Sequence, residues 1–265
     1  MGFDTVLLGC GTAAEIAILL LMFRVRAYRT QPAFFVFILW SLVEDGLMYF
    51  LRIHTNQDTS YKAYEIQLVI DSAMIFAVIV ELAWNVLRPI RSSLPKYTWL
   101  ALAILIAVAG VLIWPIAGFA LPADLAPGGI QLFRLEQTTA ILRVVVFLVL
   151  AACSHLLSIG WRNRELQIAS GLGFFSIISL AVGIIHTHLP VEAQQFHLLD
   201  QVASASYIAA LGYWVYCFAT KEAERRSFTP QMENFLLAAA GTARSARVNM
   251  NDSRSRKERD RDREE

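Results

Sequence analysis

The chain has 265 residues, of which 56% are hydrophobic and only 17% charged, and its mean hydropathy is +0.50. A soluble domain of this length carries much less apolar content, so the composition excludes an ordinary soluble domain and indicates an integral membrane protein. The formal net charge of +1 is less informative than the distribution of the charges. All three cysteines lie in apolar runs without a CxxC pair, which excludes a disulfide framework and a zinc knuckle.

Seven apolar runs are long enough to cross a hydrocarbon core of about 30 Å, which takes roughly 20 residues per helix. They cover residues 5–23, 33–52, 65–87, 98–118, 138–159, 167–187 and 199–220. An alternating barrel pattern is absent, and backbone groups in lipid must be satisfied within their own segment, so these runs are predicted helices. The predicted fold is therefore an all-α polytopic membrane protein with a seven-helix bundle spanning residues 1–226.

Basic residues collect at alternate connections between these runs. They follow the first, third, fifth and seventh runs, as Arg24, Arg26, Arg29, Arg88, Arg91, Lys96, Arg162, Arg164, Lys221, Arg225 and Arg226. The other side carries Arg52, Lys62 and Arg134. The positive-inside rule then predicts an N-terminus outside and a C-terminus in the cytoplasm. Asp4 and the lack of a basic start favour a retained first helix over a cleaved signal peptide.

The residues after the seventh run form two further segments. Thr229-Pro230 is typical of a helix start, and apolar residues recur at helical spacing behind it, which predicts an amphipathic cytoplasmic helix over 229–248. This helix lies on the inner leaflet or beneath the bundle, and residues 229–247 are a candidate surface for a cytoplasmic protein partner. Residues 249–265 are a mixed-charge, disordered tail. Acids balance its bases, so nucleic-acid binding is not expected.

Ionisable residues inside the predicted spans are the main functional signal. Each costs at least about 2.5–3.5 kcal/mol to insert, so such residues seldom face lipid. The candidates for a ligand or proton pocket are Glu15, Glu44, Asp45, Asp71, Glu81 and Arg143, joined on the seventh helix by Asp200 and Tyr207. Structural ion pairs or protonated, hydrogen-bonded acids account for the carboxyls equally well. On the third helix Gln67, Asp71, Glu81 and Asn85 share one stripe, which predicts a central helix.

Depth and helix face suggest how these residues pair. Adjacent residues diverge by about 100° around a helix, so Glu44 and Asp45 cannot share one neighbour. Asp45 lies at the predicted depth of Asp71 and Arg143, which assigns it to their pocket, with Arg143 pairing with Asp71 or Asp45. Glu44 faces a different neighbour, for which Glu15 with a shared proton is the candidate.

Three histidines near the outer face are weak candidates for a metal site. They are His186, His188 and His197. Their spacing matches no zinc motif, so ordinary loop histidines are the preferred interpretation and neither a metal nor a cofactor is expected. The lysines all lie outside the spans, which excludes a retinal Schiff base. The chain also lacks GxSxG, HExxH and Walker motifs, so no enzyme class is indicated.

Two stretches carry a resemblance to known proteins. They are YEIQLVIDSAMIFAVIVELAWNVLRPIRSSLP at 64–95 and FTPQMENFLLAAAGTAR at 228–244. They resemble a family of uncharacterised bacterial seven-helix membrane proteins. The family has no assigned activity, so the resemblance implies a location in the bacterial inner membrane and transfers no site residue.

Two functional classes follow from these features. The first is a non-enzymatic, receptor-like or scaffolding protein whose outward-facing polar pocket binds a small ligand or a proton. The second is a proton- or cation-coupled transporter that uses Glu15, Asp71 and Glu81 as a relay. In both classes the protein lies in the lipid bilayer, and the sequence identifies no small ligand for either class.

Overall fold

A computed structural model of the chain describes residues 3–54, 57–87, 97–117, 127–156, 163–188 and 193–220. These residues form seven α-helices and one short 3-10 helix, Ala27–Arg29. The α-helices are α1 (Phe3–Val25), α2 (Pro32–His54), α3 (Gln57–Val86), α4 (Thr98–Ala117), α5 (Pro127–Leu156), α6 (Arg164–His188) and α7 (Ala193–Ala219). No strand occurs in the described ranges, and the predicted all-helical class is confirmed.

Six of these helices contain segments long and apolar enough to cross a membrane. The segments are Val6–Val25, Lys62–Val86, Thr98–Ala117, Gly129–Ala152, Arg164–Ile185 and His197–Ala219. The chain is therefore a multi-pass membrane protein. Helix α2 covers the predicted span 33–52 but is not among the six. A crossing by α2, the orientation of the bundle and the membrane it occupies stay predictions.

Several helices extend beyond the predicted spans. Helix α3 begins at Gln57, eight residues before the predicted start, and α5 begins at Pro127, eleven residues before it. The predicted starts marked where apolar residues begin, whereas a helix continues through polar residues because its backbone hydrogen bonds do not depend on side chains. Proline suits the first position of α5 because its missing N–H would have no helical partner there. The predicted segments 229–248 and 249–265 lie outside the described residues.

Six helices form a closed ring. In this ring α1 packs on α2, α2 on α3, α3 on α5, α5 on α6, α6 on α7, and α7 on α1. Helix α4 packs outside the ring against α3 and α5. Helix α3 contacts α2, α4, α5 and α6, which agrees with the central position predicted from its polar stripe.

One end of the bundle is closed by aromatic packing and a sharp turn. Arg26 adopts a left-handed conformation with φ of 56°, which ends α1 and turns the chain toward α2. The Phe34 ring meets the Trp214 ring edge-on at 5.0 Å and stacks on the Phe218 ring at 6.0 Å. Gly171 lies so close to the Trp214 indole that an added Cβ would overlap it. These contacts hold α2, α6 and α7 together.

Candidate functional site

Three side chains from α1, α2 and α7 meet in one hydrogen-bonded ring. Glu15 has no solvent-exposed surface. Its Oε1 lies 2.6 Å from Ser41 Oγ and 2.9 Å from the Tyr207 hydroxyl oxygen. Ser41 Oγ and the Tyr207 hydroxyl oxygen are themselves 2.9 Å apart. We call Glu15, Ser41 and Tyr207 the Glu15 ring.

Only one oxygen of Glu15 is satisfied in the Glu15 ring. The Ser41 and Tyr207 hydroxyls both donate to Glu15 Oε1, which leaves the contact between Ser41 Oγ and the Tyr207 hydroxyl oxygen without a hydrogen of its own. The second carboxyl oxygen, Glu15 Oε2, is buried with no hydrogen-bond partner among the described residues. A buried carboxylate left half-unpaired is costly, so the geometry suits the neutral acid.

A second carboxyl contact joins α2 to α3. Glu44 and Asp71 lie within hydrogen-bonding reach of each other. The Trp40 indole N–H donates to Asp71 Oδ1 at 2.7 Å, and the Gln67 side-chain amide donates to Glu44 Oε1. Two carboxyls can bond to each other only when one of them carries a hydrogen. The Glu44–Asp71 pair is therefore a second place where a proton can be held.

Asp45 interacts electrostatically with Glu15, Glu44 and Tyr207. Glu15, Glu44, Asp45 and Asp71 are thus linked by electrostatic interactions, and we call these four residues the carboxyl cluster. All four lie near the middle of their helices, so the cluster extends sideways through α1, α2 and α3 rather than along one helix.

Arg143 borders the cluster from α5. Its side chain is only 8% exposed, and its guanidinium lies 5.3 Å from the centre of the Phe175 ring, a cation–π distance. It interacts electrostatically with Asp71 and with Glu136. The Phe175 ring in turn contacts the Tyr207 ring at 5.3 Å. The electrostatic interaction with Asp71 supports the predicted pairing of Arg143, which stays a prediction, and the aromatic pair links Arg143 to the Glu15 ring.

The structure changes one of the expected partners of the two adjacent acids of α2. Glu44, rather than Asp45, lies against Asp71, while both Glu44 and Asp45 interact electrostatically with Glu15. Ser41, one turn before Asp45, contacts Glu15, which fixes that face of α2 toward α1.

Glu81 has a different environment from the other predicted pocket residues. Its two carboxyl oxygens each accept a 3.0 Å hydrogen bond from the start of α2, one from the Ala33 N–H and one from the Phe34 N–H. The first N–H groups of a helix have no partner within it, and a carboxylate there also complements the helix dipole. The Asn85 side-chain amide adds a 3.0 Å bond to the Thr30 carbonyl. Glu81 therefore caps α2 and is not part of the carboxyl cluster.

The remaining predicted residues are not brought into the cluster. Asp200 is exposed on α7. His197 is also exposed and contacts the side-chain amide of Gln201 at 3.1 Å. His186 and His188 belong to the last turns of α6, but their side chains lie outside the described part of the chain. Among the side chains that are described, no three His, Cys, Asp or Glu residues are grouped closely enough to hold a metal ion.

Sequence reasoning missed three residues that surround the site. They are Trp40, Glu136 and Phe175. Trp40 could have been found, because it lies one helical turn before Glu44 and so shares its face. Glu136 could also have been found, because it lies two helical turns before Arg143 on the same face of α5. Phe175 carried no such signal, since the packing of α5 on α6 brings it to Arg143.

Comparisons of this chain with protein-family models, with curated proteins and with solved structures match nothing. The resemblance drawn from the sequence stays a prediction, and the function has to be argued from the site.

Proposed function

We propose that this chain is a non-enzymatic, receptor-like integral membrane protein that binds protons at the carboxyl cluster. The observation that carries the proposal is the fully buried Glu15 carboxyl, whose Oε1 accepts from Ser41 and Tyr207 while its Oε2 has no partner among the described residues. The Glu44–Asp71 contact also needs a hydrogen on one of its carboxyls. Four ionised carboxyls beside one guanidinium would otherwise leave an excess of negative charge inside the bundle.

Proton release would change how the helices pack. An ionised Glu15 places a negative charge beside Asp45. Like charges repel strongly at low dielectric, and this repulsion would weaken the packing of α1 against α2 and α7. Residues 229–247 follow α7 in the chain, and we propose that they transmit this change to a cytoplasmic protein partner. The proposed location is the bacterial inner membrane.

The arrangement favours a proton-binding receptor over a transporter. A relay across the membrane needs proton sites at successive depths, whereas the carboxyl cluster lies at one level. Glu81, the predicted next step, is ten residues from Asp71, or about 15 Å along α3. Both of its oxygens are occupied by the start of α2. A proton-coupled transporter remains the alternative, because the four carboxyls interact electrostatically.

Infrared difference spectroscopy during a pH titration tests the proposal. The full-length protein in lipid nanodiscs should show carboxylic-acid carbonyl bands at neutral pH that disappear as the pH rises. Glu15→Gln should remove one band, and Asp71→Asn should remove or shift a second. Asp200→Asn is the matched control, because Asp200 is exposed on α7 and should leave both bands in place. A Glu15→Gln spectrum identical to wild type at every pH would contradict proton binding at this site.

Proton flux separates the two classes. Proteoliposomes that contain the wild-type protein should show no flux above that of empty liposomes under a pH gradient. Proton flux that is present in wild type and lost in Asp71→Asn would contradict the receptor function and support the transporter function.

A further inference from the structure

Arg143 is a buried cation without a hydrogen-bond partner among the described residues. Only 8% of its surface is exposed, and its Nε is enclosed with no acceptor in reach. The two Nη atoms also have no acceptor in the described part of the chain but, unlike Nε, they keep accessible surface. A guanidinium is rich in N–H donors and loses its hydration on burial, so an unmet edge is costly. The Nη edge of Arg143 can therefore bind an acceptor on a ligand.

A gap separates Arg143 from the two acids that interact with it. Asp71 on α3 and Glu136 on α5 attract the guanidinium electrostatically, but neither carboxyl lies within ion-pair distance, which is about 4 Å between nitrogen and oxygen. The Asp71 carboxyl contacts Trp40 and Glu44 instead. Opposite charges that attract without direct contact leave a position for a molecule that carries both charges.

The surroundings of Arg143 come from neighbouring helices of the ring. The Phe175 ring on α6 lies 5.3 Å from the guanidinium and contacts the Tyr207 ring on α7 at 5.3 Å. Asp71 lies on α3, which packs on α5. Asp71, Phe175 and Tyr207 are each half-buried, so accessible surface remains on these side chains around Arg143. The site therefore lies among protein side chains of the ring and is not an apolar face open to lipid.

Charge balance selects the kind of ligand that fits this position. An anion alone would pair with Arg143 but would add negative charge beside Asp71 and Glu136. A cation alone would pair with the acids and leave the guanidinium without a partner. A zwitterion satisfies both groups and brings no net charge into the bundle. Its carboxylate suits the Nη edge, because a guanidinium binds a carboxylate through two parallel N–H bonds.

We propose that Arg143 binds the carboxylate of a small zwitterion of the amino-acid type, whose ammonium group faces Asp71 and Glu136. The Phe175 ring holds the guanidinium at a cation–π distance and limits its movement, which orients the Nη edge. The inference rests on the receptor function proposed above and names a ligand class for it. Ligand binding at constant pH requires no proton release from the carboxyl cluster, so failure of one proposal can be told from failure of the other.

Equilibrium binding of radiolabelled amino acids tests this inference. The full-length protein in phosphatidylcholine nanodiscs at constant neutral pH is titrated with glycine, L-alanine and L-leucine, which share both charged groups and differ in size. Saturable binding of at least one of them is expected. Acetate and methylammonium each carry one of the two charges. Each should compete at least about tenfold more weakly than the amino acid that binds, the equivalent of one charge-assisted interaction.

Two variants assign the binding to Arg143. Arg143→Lys keeps the charge but loses the two parallel N–H bonds, and should weaken binding about tenfold. Arg143→Met combined with Asp71→Asn removes both charges together, so that neither is left without the other, and should abolish saturable binding. Arg29→Gln is the control and should bind like wild type. Arg29 also lies near an aromatic ring, 5.7 Å from the centre of Tyr28, but it is exposed in the turn between α1 and α2.

Three results would overturn the inference. No saturable binding of any of the three amino acids to the wild-type protein would exclude a zwitterion site, and this result needs no variant to fold. Acetate that competes as strongly as the amino acid would mean a simple anion site. Binding unchanged in Arg143→Lys and in the double variant would place the site elsewhere.

The infrared titration separates this inference from proton binding. Carboxyl bands that behave as expected, without amino-acid binding, would overturn the zwitterion site alone. Saturable amino-acid binding, together with a Glu15→Gln spectrum identical to wild type at every pH, would overturn proton binding alone.

Discussion

The Tyr207 hydroxyl oxygen lies 2.9 Å from Glu15 Oε1, although 192 positions separate the two residues in the chain. The contact joins α7 to α1 and so closes the ring of helices at a polar point inside an apolar bundle. Ser41 completes the arrangement from α2. Three helices therefore depend on one carboxyl group, and its protonation state is coupled to their packing.

The coupling between Tyr207 and Glu15 can be measured by a double-mutant cycle. Tyr207→Phe, Glu15→Gln and the double variant should give a coupling free energy of about 0.6 kcal/mol and at most about 1.7 kcal/mol, the average and the maximum for hydrogen bonds between membrane helices. Denaturation in mixed micelles provides the free energies of unfolding. Tyr216→Phe is the control, because Tyr216 is exposed on the same helix and should show no coupling to Glu15. A coupling energy of zero for Tyr207 would mean that the hydrogen bond contributes nothing to packing.

Loss of the Glu81 cap should destabilise the bundle without affecting proton binding. Glu81→Ala leaves the Ala33 and Phe34 N–H groups without an acceptor, and we expect a loss of about 1–3 kcal/mol in the free energy of unfolding. Glu81→Gln keeps one acceptor and should lose less. Glu65→Gln, on the same helix, is the control. Carboxyl infrared bands missing from Glu81→Gln would instead assign Glu81 to the proton site.

Close packing of α6 predicts a strong dependence on glycine. A Cβ at Gly171 would overlap the Trp214 indole, and one at Gly173 would come within 2.6 Å of Phe147 Cγ. Gly171→Ala and Gly173→Ala should each cost about 1–3 kcal/mol, because the rings have to shift. Gly212→Ala is the matched control, since an added Cβ there meets nothing within 4 Å. Thermal unfolding in detergent compares the three variants, and equal midpoints would contradict the packing.

Charge balance around Arg143 predicts rescue by a second substitution. Arg143→Met removes the only cation that the described contacts bring to Asp71, and an uncompensated buried charge costs about 3–5 kcal/mol. We expect little folded protein in membranes for Arg143→Met, measured by gel filtration after extraction. Arg143→Met combined with Asp71→Asn should recover much of the wild-type yield. Failure of both this double variant and Arg143→Met combined with Asp71→Asn and Glu136→Gln, with Asp71→Asn alone well folded, would show that Arg143 does not act by balancing these acids.

Some of the site could be predicted from the sequence. The cost of inserting charge is enough to identify Glu15, Asp71 and Arg143 as inward-facing residues, because lipid cannot solvate them. Helical geometry separates Glu44 from Asp45 by about 100°, so two distinct neighbours follow from the sequence as well. The identity of those neighbours does not follow, since the rotation of α2 about its axis is set by packing.

The sequence by itself determined that the membrane-crossing segments are helices, because backbone groups in lipid must bond within their own segment. It also determined the approximate depth of each carboxyl along its helix, since rise per residue is constant. Only the tertiary structure decided that Glu44 meets Asp71, that Tyr207 meets Glu15, and that Glu81 caps α2. Side-chain partners on separate helices depend on how those helices rotate and pack, and apolar patterning leaves that rotation open where most faces are equally apolar.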